Sequence, residues 1–209
     1  MNEIMASEDR IRRTLEEMRM RKLSTVVVMV ICLAAAFAAG FKTAVVREHG
    51  RLEHNKQILR RIHKEVWSNP DVNAAMKAAD ELYTPDFVVH NWAGDERGLE
   101  VLKKGLVGNR SISPDWNEEV LDMVAEGDNV VSRFLSTGTQ KGDIPAIPGY
   151  QPLLPATCKF VRFPELAVHR LANGKVAEQW EFADNWGANI QAGLIDPDKM
   201  SFAPSKSCR

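Results

Sequence analysis

Apolar residues recur at helical spacing at Ile58, Leu59, Ile62, Val66 and Trp67, which predicts an amphipathic helix stopping at Asn69-Pro70. Val72, Ala75, Ala78, Ala79 and Leu82 repeat the pattern and give a second helix that ends before Tyr83-Thr84-Pro85. Leu99, Leu102 and Leu106 predict a third. Strands are expected over Phe87 to His90, Val120 to Ala125 and Asn129 to Thr139, the last two joined around Glu126-Gly127-Asp128. Gln140 to Pro155 holds four prolines and reads as a long loop, of the kind that forms lids and rims. Asn185 to Leu194 closes the pattern with a short helix, and the tail from Asp196 onward is polar and expected to be loose. Helices packed on one face of a sheet make an α+β architecture with a pocket between the layers.

The segment Glu165 to Gly187 can be followed almost residue by residue as a β-hairpin. Asn173-Gly174 suits a two-residue turn, because both central positions of a type I′ turn need positive φ. With that loop, Ala172 pairs with Lys175, Arg170 with Ala177, His169 with Glu178, and Ala167 with Trp180. Side chains alternate along a strand, so His169, Glu178, Trp180, Phe182 and Asp184 are expected on one face. Two aromatics with two carboxylates and an imidazole fit the wall of a ligand pocket better than a core or a solvent face. The alternative leaves Glu178 or Asp184 at the strand end in water.

Near the N-terminus, Leu23 to Phe41 is an almost uncharged apolar run. As a helix it would be roughly 28 Å long, close to the hydrocarbon thickness of a bilayer. Arg19, Arg21 and Lys22 precede it directly, so the positive-inside rule keeps residues 1–22 cytoplasmic and exports the rest. An uncleaved signal anchor is favoured. Ala36-Phe37-Ala38 keeps open a signal peptide that is cleaved to release a secreted domain. The organisation that follows is a charged cytoplasmic segment (1–22), the membrane segment (23–41), a linker or helix extension (42–54), a folded domain (55–195) and a tail (196–209).

Composition changes this picture little. The chain has 209 residues, enough for one domain with a real core beside the apolar run. A formal net charge of −1 gives no support to a nucleic-acid partner. Cys158 and Cys208 both fall in the exported part, either as a disulfide or as two thiols, and Cys32 follows Ile31 and so is no lipobox cysteine. His49, His54 and His63 sit in the early charged helical stretch without the spacing of a metal site. A nucleophilic triad and a phosphate-binding glycine loop are also missing from the sequence.

Four segments carry a resemblance. They are Asp86-Phe87-Val88-Val89-His90-Asn91; Ala125 through Phe134; Ser136-Thr137-Gly138-Thr139; and Gly174-Lys175-Val176-Ala177-Glu178-Gln179-Trp180 followed by Asp184. In this order, from about Asn55 to Leu194, the chain resembles the SnoaL-like polyketide cyclases, or ester cyclases, of the nuclear transport factor 2-like superfamily. The resemblance implies a cone of curved antiparallel sheet with about three helices, here preceded by one transmembrane helix. It implies an intramolecular aldol closure of a polyketide ester, or a related isomerase or hydrolase reaction, with no metal or cofactor. A homodimer pairing through the outer sheet face is implied as well.

By the same resemblance Asp184 is the general acid/base, and His90 and Asn91 hold substrate oxygens. Trp92, Trp180 and Phe182 would wall the pocket, Glu178 would face the substrate, and His169 would be a second donor or proton partner. An aspartate suits this chemistry when it is partly desolvated, since burial raises its proton affinity. Each residue has a plainer alternative. Asp184 stands where the N-cap of the next helix falls, Asn91 can turn the chain, His169 can be a bonded structural histidine, and Arg133 is expected to pair a carboxylate in the sheet. Two functions of different class follow: an acid/base enzyme on a small apolar carbonyl compound, or a non-catalytic binding or dimerisation domain tethered to a membrane.

Overall fold

The computed structural model describes residues 2–91, 94–146 and 153–199. The chain divides into two units, Met1–Gly50 and Arg51–Arg209. Helix α1 spans Asn2–Arg61. In the first unit it holds a segment long and apolar enough to cross a membrane, and its side chains from Leu23 to Leu33 stand exposed. By length and composition this segment suits an anchor or a signal sequence.

In the second unit, the end of α1 runs into a π-helical turn, Ile62–Trp67, that buries Ile62, His63 and Val66. Helix α2 (Val72–Leu82) follows Pro70 and starts at Asp71, whose side chain accepts the N–H groups of Asn73 and Ala74 at 2.9 and 3.2 Å. Its buried residues, Ala75, Ala79 and Leu82, lie on one stripe. Helix α3 (Leu99–Ile112) begins after Gly98, whose φ of 93° favours glycine, and buries Leu102, Leu106 and Arg110. Arg110 is the lock between these helices and the sheet: its guanidinium donates to the main-chain carbonyls of Trp67, Asn69 and Trp116. A short helix α4 (Asn185–Gln191) closes the unit.

Six strands form one sheet in the order β2-β1-β6-β5-β4-β3. They are β1 (Tyr83–Asn91), β2 (Gly94–Arg97), β3 (Asn117–Glu126), β4 (Asn129–Thr139), β5 (Phe160–Ala172) and β6 (Lys175–Ala183). The sheet is mixed where an antiparallel one was expected, because β1 runs parallel to β6. The two strands are far apart in sequence, so no hairpin dictates their relative direction. Pro164 does not end β5. It lies just past the last β5–β6 pair, Glu165↔Ala183, where one side of β5 has no further strand to bond. Arg133 pairs with Asp122 on the neighbouring strand, Nε to Oδ2 at 3.1 Å. Gln140 anchors the start of the long loop, bonding the carbonyls of Gly142 and Pro155 and both donors of Thr157. The choice between a Cys158–Cys208 disulfide and two thiols involves residue 208, outside the described residues.

The β5–β6 hairpin turns at Asn173 and Gly174, both with positive φ (52° and 76°), and Ala172 pairs with Lys175 as expected. The register beyond is different. Leu171 pairs with Val176 but Arg170 pairs with Glu178, so Ala177 is an extra residue, a β-bulge. A slip of one residue sends every later side chain to the opposite face. His169 therefore faces Gln179, not Glu178, and Ala167 faces Glu181, not Trp180. The face expected to combine His169 with Glu178, Trp180 and Phe182 does not exist: His169 points into the domain and the other three point away.

Candidate active site

One row of the sheet runs Glu96–Val89–Gln179–His169–Val130 across β2, β1, β6, β5 and β4. The next inner-face positions along β5 and β6 add Ala167, Glu165 and Glu181. Helices α3 and the π-helical turn cover this face and leave a cavity of about 210 Å³, lined by Trp67, Phe87, Asn91, Glu96, Leu102, Gln179 and Glu181 among others.

The interior behind the cavity is unusually polar. Glu165, His169, Gln179, Ser132 and Ser136 are all buried on the inner face. Six buried atoms lack a well-formed hydrogen bond among the described residues: Glu165 Oε1, His169 Nδ1, Gln179 Oε1, Ser136 Oγ, Thr84 Oγ1 and the Tyr83 hydroxyl, with Glu165 set toward Ser136 and Glu181, and His169 toward Gln179. Each orphaned buried group costs stability, and such groups cluster where a ligand or water completes them. Burial, reinforced by the Glu181 carboxylate, pushes the Glu165 carboxyl up to about 10. Burial, aided by the charge of His63, pushes His169 down to about 3. At neutral pH Glu165 is therefore a protonated acid and His169 a neutral imidazole. Glu181 stands exposed at the cavity wall, its Oε2 accepting the Gln179 amide at 2.7 Å.

Deeper still lies a buried pair. His63 Nδ1 is 2.6 Å from Glu118 Oε2 and its Nε2 is 3.1 Å from Ser132 Oγ. The His63 ring lies 4.6 Å from that of Phe134. Burial raises the Glu118 carboxyl, against the lowering effect of His63.

The residues expected at the site divide between two faces. His169 and Asn91 belong to the inner face, Asn91 on the cavity wall. His90, Glu178 and Trp180 form a separate cluster on the outer face. His90 stacks on Trp180 with ring centroids 4.2 Å apart, and bridges Asp95 (Nδ1, 2.8 Å) and Glu178 (Nε2, 3.0 Å), while Arg170 Nε donates to Glu178 at 2.8 Å. Burial alone would lower the His90 pKa, but its two carboxylate bonds outweigh that and raise it. A wider hollow of about 420 Å³ opens beside this cluster, lined by Asp86, Arg97, Arg170 and Glu178. Those charges are paired with one another or solvated, whereas the inner cavity sits against orphaned atoms, so the inner cavity is the better ligand site. Phe182 is exposed and Trp92 falls outside the described residues.

Asp184 caps α4, its Oδ1 accepting the Gly187 N–H at 2.8 Å. A side chain at residue 187 would collide with that carboxylate, which explains the glycine. Replacing Asp184 with Ala is expected to cost about 1 kcal/mol, and Asn much less, read as urea midpoints. Loss of turnover in a fully folded Asp184→Asn protein would instead restore the acid/base part that the resemblance gave it.

Alternation should have found Glu165, which stands two and four residues before Ala167 and His169 on the same strand face. Gln179 and Glu181 were hidden by the bulge. His63 shares the helical stripe of Leu59, Ile62 and Val66, a signal masked by its charged neighbours Lys64 and Glu65.

No curated protein sequence matches the chain. Solved structures do. A candidate SnoaL-like polyketide cyclase from Jannaschia sp. CCS1 is 22% identical with a TM-score of 0.60, over 69% of this chain and 94% of that one. A candidate polyketide cyclase from Acidithiobacillus ferrooxidans is 26% identical with a TM-score of 0.57, over 68% and 96%. A protein from Catenulispora acidiphila with a ketosteroid isomerase-like fold is 15% identical with a TM-score of 0.51, over 66% and 93%. The fold is therefore the one shared by nuclear transport factor 2 and the ketosteroid isomerases. The family model for SnoaL-like polyketide cyclases matches residues 57–192, from the end of α1 through α4, and the chain belongs to that family.

Proposed function

We propose that the chain is an acid/base enzyme of the cyclase or isomerase kind, acting on a small carbonyl compound in the inner cavity. The observation that carries this is a pair of neighbouring carboxyl groups with opposite surroundings, Glu165 buried and protonated, Glu181 open to solvent. Two carboxyls driven apart in this way can divide the work of acid and base. Glu181 takes the proton from the carbon next to the carbonyl, and its C–H electron pair moves into the enolate. A donor stabilises the developing enolate oxygen, and we assign that part to the protonated Glu165 carboxyl, which is hydrogen-bonded to Glu181 at the cavity wall. In a cyclase the enolate carbon then attacks a second carbonyl of the same molecule, and the new alkoxide takes up a proton. In an isomerase the proton returns at another carbon. His169 holds the Glu165 and Gln179 surroundings polar without bearing charge, and Asn91 and Trp67 position the ligand. Side chains alone carry this chemistry, in keeping with the family resemblance.

The apolar segment of α1 supports a membrane anchor, with the catalytic domain on the far side from the Arg- and Lys-rich N-terminus. The homodimer implied by the family would use the outer sheet face, where Leu166 and Phe182 are exposed.

The test is solvent exchange. The full chain in detergent micelles is incubated in D₂O with small methyl ketones and β-keto esters, and deuterium at the α-carbon is followed by mass spectrometry. Exchange or ring closure above background with at least one compound is expected. A folded protein that exchanges none of them overturns the acid/base reading and leaves a tethered binding domain.

A further inference from the structure

His90 stands between two acceptors. Its Nδ1 is 2.8 Å from Asp95 Oδ1 on β2, and its Nε2 is 3.0 Å from Glu178 Oε2 on β6. An ionised carboxylate only accepts and a neutral imidazole has one N–H, so both bonds form together only when the ring carries two protons. A neutral ring keeps one bond and turns a lone pair toward the other carboxylate. Trp180, stacked on the ring at 4.2 Å, favours the cation as well.

The two carboxylates are not held alike. Glu178 lies on β6, inside the sheet, and Arg170 on β5 donates to it at 2.8 Å. Asp95 lies on β2, an edge strand of four exposed residues that pairs with β1 alone. Its other cationic neighbour, Arg97, is 3.6 Å away and 70% exposed. Asp86 on β1 borders the hollow beside the cluster and adds a further negative charge to this face. When the ring loses a proton, β2 is therefore the partner that lets go. Glycines with positive φ end the strand on both sides, Gly94 at 122° and Gly98 at 93°.

The opposite side of β2 is cavity wall. Glu96 pairs with Val89 and, with Asn91, lines the inner cavity. We propose that His90, protonated between Asp95 and Glu178, is a latch that holds β2 on the sheet, so that Glu96 stays at the cavity and loosens from it when the proton leaves. Its bearing on a ligand rests on the inner cavity being the working site; the latch itself does not. Burial works against the charged ring, but the two carboxylate bonds outweigh it and raise the His90 pKa. The latch is thus complete below the ordinary imidazole value of 6.5 and is lost as pH rises through the higher value of the closed form.

The test is amide exchange with D₂O, followed by mass spectrometry on the full chain in detergent micelles and corrected for the intrinsic pH dependence of exchange. Peptides covering residues 94–98 report on β2, including the Gly98 N–H that bonds the Phe87 carbonyl at 2.7 Å, and the β5–β6 turn serves as control. Wild-type protection of β2 is expected to fall about two- to fivefold from about pH 5 to about pH 9, the worth of one partly exposed ion pair, with its midpoint above 6.5. The control peptide stays level. His90→Gln and Asp95→Asn, both at half-exposed or exposed positions, should fold and give flat β2 profiles. A flat wild-type profile overturns the latch, as does an equal fall in the control peptide or a fall that persists in His90→Gln. No substrate enters this measurement, so the latch and the acid/base reading, judged by α-carbon exchange, can fail separately.

Discussion

Glu181→Gln lowers α-carbon exchange by about 10²- to 10⁴-fold, the usual worth of a positioned general base, while the protein stays folded. Glutamine keeps the size of the side chain and a carbonyl to accept the Gln179 amide, but it cannot take a proton. Glu181 is exposed, so the substitution leaves no buried charge behind. Glu165→Gln behaves differently. Its amide N–H still donates to an enolate oxygen, so the loss is smaller. The pH profiles separate the two. Wild-type activity needs the Glu165 proton and falls as pH rises through its elevated pKa, near 10; Glu165→Gln has no proton to lose there, and the alkaline limb vanishes. Removing the Glu181 charge also removes one of the causes holding Glu165 high, which moves that group's titration downward in Glu181→Gln. The measurement is the exchange rate against pH for the three proteins, with melting curves alongside. Wild-type rates in a folded Glu181→Gln protein would take the base away from this residue.

Helix positions were legible because each stripe repeats locally: Ala75, Ala79 and Leu82 on α2, Leu102 and Leu106 on α3. The hairpin turn was equally legible, since Asn173-Gly174 supplies two positive φ angles within two residues. What followed the turn was not. A bulge is one additional residue in one strand, and Ala177 has no side chain that announces it. That single residue moved Gln179 and Glu181 inward and Glu178 and Trp180 outward, and with them most of the expected site. The parallel pairing of β1 with β6 also lacks a local signature, because it joins segments some ninety residues apart, as in His90↔Trp180. The cap role of Asp184 was readable as an alternative, since aspartate ahead of a short polar helix is a helix-start signal. The sequence pattern thus reached the fold and one wall of the cavity, and missed the buried acid, Glu165, to which the proposed chemistry is assigned.

His63→Ala has the largest expected effect on stability. The His63 and Glu118 side chains are 3% and 6% exposed and 2.6 Å apart, with Ser132 and the Trp116 indole (3.3 Å) completing their bonds. Breaking a buried pair by removing one partner costs about 3–5 kcal/mol, a large part of the 5–15 kcal/mol that holds a typical domain together. The loss is not simply a cavity, because Glu118 is left buried without its main partner. Its pKa is already raised by burial, with His63 opposing the rise; without His63 it goes higher. An acid whose pKa is higher folded than unfolded binds more protons in the native state, so its penalty is absent below the unfolded pKa, about 4.5, and grows as pH rises above it. Adding Glu118→Gln to His63→Ala is therefore expected to restore stability, and to restore more at pH 8 than at pH 5. Urea unfolding of both proteins at the two pH values measures this. A recovery equal at both would mean that Glu118 does not bear the cost and that His63 acts through packing against Phe134 alone.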